Sequence, residues 1–349
     1  MTKWRSAGLL GAVVLALSVP PGAGPDAEAS YSGANSDDKV VFTIRAPEIT
    51  ESSSLAISTV DPGLTYTTND SGDGGTVYVL DSKTGALVGR TTLAGADPLD
   101  VEAIAVGTDG SLVVADIGDN NADHSTADLY RIDQPGRGEH AVTPDRVDLT
   151  YPGGARDAES VVYDTSTGRA YIVSKLFGGA RVYVTPPHVF RFDNARLRVV
   201  AKAPPLATDA ALLPDGRHAV IRTYFDASVY TFPEWKEIAI FNLPPQEQGE
   251  SIAVPPSGDV VWVGSEGVRS RVTAVPLPDL TAAPQGGSGT AAPSGAAGDQ
   301  VADGSAASDA HDSARELATV VFLGGLVGLA ALLLVVLFLA LHRRLTPPR

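Results

Sequence analysis

The sequence predicts an all-β fold, a single β-propeller of five blades, followed by one C-terminal transmembrane helix. Three observations carry this reading. The stretch from about residue 40 to 278 is a series of short β-rich runs separated by Gly, Asp, Asn and Pro turns, with no amphipathic helix among them. Those runs fall into five similar repeats. Near the C-terminus, Ala318 to Leu341 is 24 residues without a charge, enough to cross a hydrocarbon core as a helix.

Taken in chain order, the first element is an export signal over 1–29. Lys3 and Arg5 precede an apolar run from Ala7 to Val19, and small residues then lead to Ala27-Glu28-Ala29. A basic start, a short apolar stretch and an A-x-A site describe a secretory signal peptide. Residues 30–38 are a polar segment, and 39–280 the propeller. The Ala, Gly, Ser and Pro of 281–316 cannot bury a core and read as a flexible tether. The membrane helix is assigned to 317–342 and a cytoplasmic tail to 343–349. His342, Arg343, Arg344 and Arg349 lie beyond the apolar stretch, and Asp309, Asp312 and Glu316 lie before it. Basic residues stay in the cytoplasm. The expected location is therefore the cytoplasmic membrane, single-pass, with the main domain outside.

Composition narrows the chemistry. The chain of 349 residues has no Cys, so no disulfide holds the domain together. Its net charge is −15, with three arginines in the tail, which leaves −18 on the external portion. That charge argues against nucleic acid and anionic lipid as partners and suits divalent cations. There is no H-x-H or HExxH pair, no G-x-S-x-G elbow and no glycine-rich phosphate loop before a helix.

The expected strands include Val40–Ile44, Leu64–Thr68, Thr76–Leu80, Leu112–Asp116, Ala170–Ser174, His218–Thr223 and Val260–Gly264. The repeats begin at Ser53, Glu102, Glu159, Asp209 and Glu250, 41 to 57 residues apart. Each has an apolar strand, a turn such as TDG, TSTG, PDG or PSG, and a second strand ending in polar residues. That spacing is the spacing of propeller blades. The last repeat supplies three strands, and the isolated strand near Val40 is expected to complete it and close the ring. The alternative is a sixth blade within Ala122–Arg156 or Arg181–Val200.

Two polar columns recur. The first opens the first strand, at Ser53, Glu102, Glu159, Asp209 and Glu250, with Glu51, Asp100, Asp157, Ala207 and Gln248 two positions earlier. The second ends the second strand, at Asp70, Asp116, Lys175, Thr223 (beside Arg222) and Glu266. Antiparallel neighbours bring both columns to one channel mouth. Converging carboxylates repel one another until protonated, paired or bridged by a cation, and an all-oxygen set suits Ca²⁺. The metal candidates are Asp70, Asp100, Glu102, Asp116, Asp119, Asp157 and Glu159. The ligand-binding candidates are Glu102, Glu159, Asp209, Glu250, Lys175, Arg222 and Glu266. A structural role is the alternative, with acids bonded only to backbone amides and the two bases paired to adjacent carboxylates. The run Asn69-x-Ser71-x-Asp73-Gly74 matches half of a calcium loop, but the twelfth position is Leu80. Strand alternation predicts that the chain leaves the last blade on the face opposite the acids.

The runs Asn69-Asp70-Ser71-Gly72-Asp73, Asp100-Val-Glu102-Ala-Ile-Ala, Asp116-Ile-Gly-Asp119-Asn120 and Asp157-Ala-Glu159-Ser resemble a family of exported bacterial β-propeller proteins. More remotely the chain is similar to phytase-like, SdiA-regulated and SMP-30-type lactonase propellers. Those resemblances imply a channel Ca²⁺ site and, in some relatives, ester or phosphoester hydrolysis. Glu102, Glu159, Glu250, Asp100, Asp116 and Asp157 occupy the matching positions. The expected function is a membrane-anchored module binding a protein or small-molecule ligand. The alternatives are a Ca²⁺-dependent phosphoester or lactone hydrolase and a cell-envelope scaffold.

Overall fold

The computed structural model describes residues 39–280 apart from 71, 72, 123, 125 and 126. The assignments over 1–38 and 281–349, including the signal peptide, tether and membrane helix, lie outside the described residues. Among the described residues no helix is long and apolar enough to cross a membrane.

Strand β1 (Lys39–Thr43) comes first and belongs to the last blade. Blade 1 holds β2 (Ser52–Ile57), β3 (Leu64–Asn69), β4 (Thr76–Asp81) and β5 (Leu87–Leu93). Blade 2 holds β6 (Val101–Val106), β7 (Ser111–Asp116) and β8 (Ala127–Asp133). After β9 (Gly138–Val142) it gains β10 (Asp145–Thr150). Blade 3 is β11 (Ala158–Asp164), β12 (Arg169–Ser174) and β13 (Arg181–Val184). Beyond the 3-10 turn Val189–Arg191 and β14 (Asn194–Arg196), it is completed by β15 (Arg198–Lys202). Blade 4 is β16 (Asp209–Leu212), β17 (His218–Arg222), β18 (Asp226–Thr231) and β19 (Glu237–Asn242). Blade 5 is β20 (Gly249–Ala253), β21 (Val260–Ser265) and β22 (Arg271–Pro276), closed by β1.

The fold is thus a five-bladed propeller. Lys39 pairs with Ala274 and Thr43 with Arg271, so the N-terminal strand does fasten the last blade. The stretches that offered a sixth blade are spent on outer edges instead. β9 adds parallel to β5, and β14 adds parallel to β10. Both cover edges that would otherwise stand open.

The core is divided into five wedges, each filled by two neighbouring blades. Tyr66 and Val77 of blade 1 pack with Ile104 and Tyr130 of blade 2. Val113 and Leu129 meet Val161 and Ile172, and Val173 and Tyr171 meet Ile221 and Tyr230. Val220 and Ala227 meet Ile252 and Val263, and Phe42 and Val272 return to Leu55 and Leu80. Because the inner strands bury apolar side chains on both faces against adjacent blades, they read as nearly continuous apolar runs. The middle strand of the last blade pairs Val260 with Pro276 at its far end. The chain therefore leaves β22 on the face opposite Glu102, Glu159 and Glu250, as strand direction predicts.

Candidate functional site

Pairing brings the two polar columns together. Ser52 faces Asn69, Val101 faces Asp116, Ala158 faces Ser174, Asp209 faces Arg222 and Gly249 faces Ser265. The starts of all five inner strands and the ends of all five second strands therefore share one mouth. In four blades the register shifts by one residue there, between Ser52 and Ser54, Val101 and Ala103, Ala158 and Ser160, and Gly249 and Ser251. The extra residue of each bulge is the column residue itself: Ser53, Glu102, Glu159 or Glu250. A bulge re-aims a side chain. Blade 4 has no bulge at this point, and its Asp209 stays in register with Arg222.

Three of the predicted carboxylates converge. Asp70, Asp100 and Glu102 each offer an oxygen within 4.8 Å of the others. Gly118 lies against two of them: a Cβ there would collide with Asp100 Oδ2 and sit 2.7 Å from Glu102 Oε1. The Asp116-Ile-Gly-Asp119-Asn120 run braces this corner. Asp116 accepts the backbone N–H of Asp100 at 2.8 Å and of Leu99 at 3.1 Å. Ile117 and Gly118 donate to the Asp100 carbonyl. Asp119 N donates to Asp157 Oδ1 at 3.0 Å, while Asp119 Oδ2 accepts from His124 N. Asp116, Asp119 and Asp157 thus brace this corner, and Asp70, Asp100 and Glu102 bring their oxygens together.

Electrostatics follow from this crowding. Burial, then a side-chain hydrogen bond with Asp70 and the charges of Asp70, Asp116 and Asp157, push the Asp100 carboxyl up to about 7. Burial and the charges of Glu159, Asp70 and Asp100 push Glu102 up to about 11. Such groups hold protons at neutral pH unless a cation displaces them. The donor set consists of hard carboxylate oxygens without nitrogen or sulfur, which fits Ca²⁺.

The opposite side of the mouth carries one base among its acids. Lys175 Nζ pairs with Glu159 Oε1 at 2.7 Å and lies 5.5 Å above the Tyr224 ring. Burial opposes its charge, but Glu159 and Glu250 outweigh that and raise its pKa. Glu159 itself is pushed up to about 8, burial outweighing Lys175. Glu250, 2% exposed, is bonded to Gln248 at Oε1, and its Oε2 has no hydrogen-bond partner. Burial and the charges of Glu250, Asp70 and Glu51 push Glu266 up to about 7, which closes the acidic ring between blades 5 and 1.

Two predicted residues sit elsewhere. Arg222 is fully buried; its Nε donates to the Thr223 carbonyl and its Nη1 to the carbonyls of Ser251 and Gly264 and to Gln246 Oε1, while Nη2 has no hydrogen-bond partner among the described residues. Among the described residues it forms no ion pair with a carboxylate, and it is a strut between blades 4 and 5. Asp209, also fully buried, lies below the mouth, accepting from Ile252 N at 2.8 Å and from Ser54. The calcium-loop half-match is built differently as well. Asn69 Oδ1 accepts from Thr50 N and Glu51 N, and Asp73 accepts from Asn69 and Tyr78. From that run it is Asp70 that joins the triad. Gly118 escaped the sequence reading as a site residue, although its place between two acids in the same run was the available signal.

No family model matches the chain, and no characterised protein sequence matches it. Among solved structures it is similar to the Dos1 propeller, at 17% identity and a TM-score of 0.37. That match covers 62% of this chain and 53% of the other, so the chain spans about half of that protein's length. It is also similar to a gluconolactonase from Xanthomonas campestris, at 11% identity and a TM-score of 0.42, covering 68% of this chain and 88% of that one. Both are likenesses of the propeller alone.

Proposed function

We propose that this chain is a membrane-anchored, extracytoplasmic propeller that binds Ca²⁺ in its acidic mouth and presents the filled mouth to a protein or small-molecule ligand. The observation that carries the reading is the mutual 4.8 Å reach of Asp70, Asp100 and Glu102. The buried, unpartnered Glu250 Oε2 on the same mouth supports it. Anchoring is supported by the apolar stretch Ala318–Leu341 and the basic tail beyond it. Metal analysis of the purified full chain and its melting with calcium or chelator test the first part. Calcium at about 100 times its Kd stabilises by roughly 2.7 kcal/mol. A chain without metal, whose melting ignores both additions, leaves the mouth a structural role. Protease added to intact cells tests the second part: it releases the domain if the topology is right.

A hydrolytic reading is favoured by one observation, the buried Glu159 carboxylate held 2.7 Å from Lys175 at the mouth, where burial raises its pKa. An acid or base poised near neutral pH suits proton transfer. Calcium-dependent turnover of phosphate esters or lactones, lost in Glu159→Gln, distinguishes this reading from a binding module.

A further inference from the structure

Below the acidic mouth the channel changes character. Ser54 and Asp209 meet across it, and past them it widens into a chamber of about 330 Å³ opening on the opposite face. All five inner strands form its wall, through Leu55, Ile104, Val161, Ala210 and Ala253 in the first layer. Ala105, Val106, Ala211 and Leu212, further along β6 and β16, line it too. They are only partly buried, unlike most apolar residues of the second strands. From Ser54 to Ile57 the chamber is three residues deep, on the order of 10 Å. Ligand pockets begin at about this volume and are mostly apolar.

The rim has its own chemistry. The turns joining inner to second strands carry Asp61, Asp109, Asp215 and Asp259, with Asp164 at the end of β11, against Arg217 and, at the start of β12, Arg169. These acids surround the opening, whose own lining is Ser58, Thr59, Pro62, Thr108, Pro214, Gly216 and Pro256. Several of these acids are fixed by their own turns: Asp61 by Gly63 N, Asp109 by Ser111, and Asp215 by Arg217 N and His218. An apolar chamber walled by five inner strands, with acidic turns around its opening, suits a linear apolar group whose polar end is not anionic. The acids of the surrounding turns disfavour a fatty acid or an anionic detergent there.

We propose that this chamber binds the alkyl chain of a single-chain amphiphile with an uncharged or cationic head. The chain would enter from the face on which β22 ends and stop at the Ser54–Asp209 floor. The site is separate from the cation site and does not require it.

The test is photolabelling of the full chain in neutral-lipid nanodiscs. The probe is decyltrimethylammonium carrying a terminal diazirine, and labelled peptides are mapped by mass spectrometry. Label is expected in β6, β11 and β16. Unlabelled alkyltrimethylammonium competitors should gain roughly fourfold in affinity per added methylene, up to a length at which the gain stops. Ala105→Leu and Ala211→Leu, which fill the bore, should each reduce channel labelling about tenfold. Val106→Thr, which keeps the volume and adds a hydroxyl, should reduce it roughly threefold if the larger variants fail to fold. Label confined to the 318–341 region, or channel labelling indifferent to chain length and to these substitutions, overturns the proposal. Equal competition by the carboxylate of the same chain length overturns the assignment of the head group. Adding chelator should leave the labelling unchanged, so loss of the calcium site and loss of this one read out separately.

Discussion

Ser54 on β2 donates its hydroxyl to the Asp209 carboxylate on β16, 3.1 Å away across the channel and 155 residues away along the chain. The same hydroxyl accepts the Ile104 N–H of β6, and Asp209 accepts the Ile252 N–H of β20. Four inner strands are thus joined by two side chains at the channel's waist. Asp209→Ala leaves the Ile252 and Ala210 amides without their acceptor. Each buried unsatisfied group costs roughly 1–3 kcal/mol, so a loss of about 3 kcal/mol is expected in urea denaturation. Asp209→Asn keeps one acceptor oxygen and should lose clearly less. Equal losses from the two substitutions would mean that the bonds to the carboxylate do not matter.

Gly118→Ala separates the site from the fold. The added methyl meets the ends of the Asp100 and Glu102 side chains, which can swing aside. Melting without calcium should therefore fall by only about 1–2 kcal/mol, since Gly118 is buried but the clash is with side chains and not with backbone. Calcium affinity should fall roughly tenfold, the range seen when the support of metal ligands is disturbed. An unaltered calcium titration would remove Gly118 from the site.

In chelator, stability should fall as pH rises from about 4 to about 7. Asp100 and Glu266 are both pushed up to about 7, mainly by burial, from ordinary values of 3.8 and 4.5. Between those limits the folded chain holds protons that the unfolded chain has released. The stabilisation is complete below about 4 and is lost as pH passes the folded values. Each half-exposed group contributes on the order of 1–2 kcal/mol after solvent screening. Asp81, lowered to about 2 mainly by its hydrogen bond with Arg137, titrates below this window. Calcium should flatten the slope. Denaturant midpoints that climb across the same range, in chelator, contradict the reading.

Lys175→Met strands the Glu159 carboxyl, which is 5% exposed at its side chain. Breaking a buried pair from one side costs roughly 3 kcal/mol or more. Lys175→Met with Glu159→Gln should recover most of that loss, and a double-mutant cycle by denaturation measures the coupling. A double variant less stable than the Lys175→Met single would show that the two side chains do not act as a pair.

Much of the fold could be read from residues alone because a propeller repeats its turns. TDG at 108–110 and PDG at 214–216 each sit between an inner strand and its neighbour, and the strand at Val40 had no partner nearer than the last repeat. The bulges were invisible, since one extra residue leaves the apolar pattern intact while turning Glu102, Glu159 and Glu250 toward the mouth. The second column was also misaligned by one in blade 2. Asp116 stands level with Asn69, Ser174 and Arg222, and like Asn69 it caps backbone amides, whereas Asp70 is the residue that reaches the triad. Arg222 read as a charge for the mouth because its burial depends on the carbonyls of a neighbouring blade. β9 escaped notice because its residues are almost all exposed and show no alternation.

The β1–β22 pairing also fixes an order of events. A chain synthesised from its N-terminus releases β1 first, yet β1 has no place to pair until Arg271–Pro276 has emerged. Blades 1 to 4 are each built from strands closer together in sequence and can form while β1 waits. Completion of the ring is therefore the latest and least local step of folding, and such pairings form slowly. Until then the unfilled edge of blade 5 and the apolar face of Phe42 stay open to misassociation. A chain cut short within the last blade would remain an open arc, recognisable to quality-control proteases by the unpaired edge of β1.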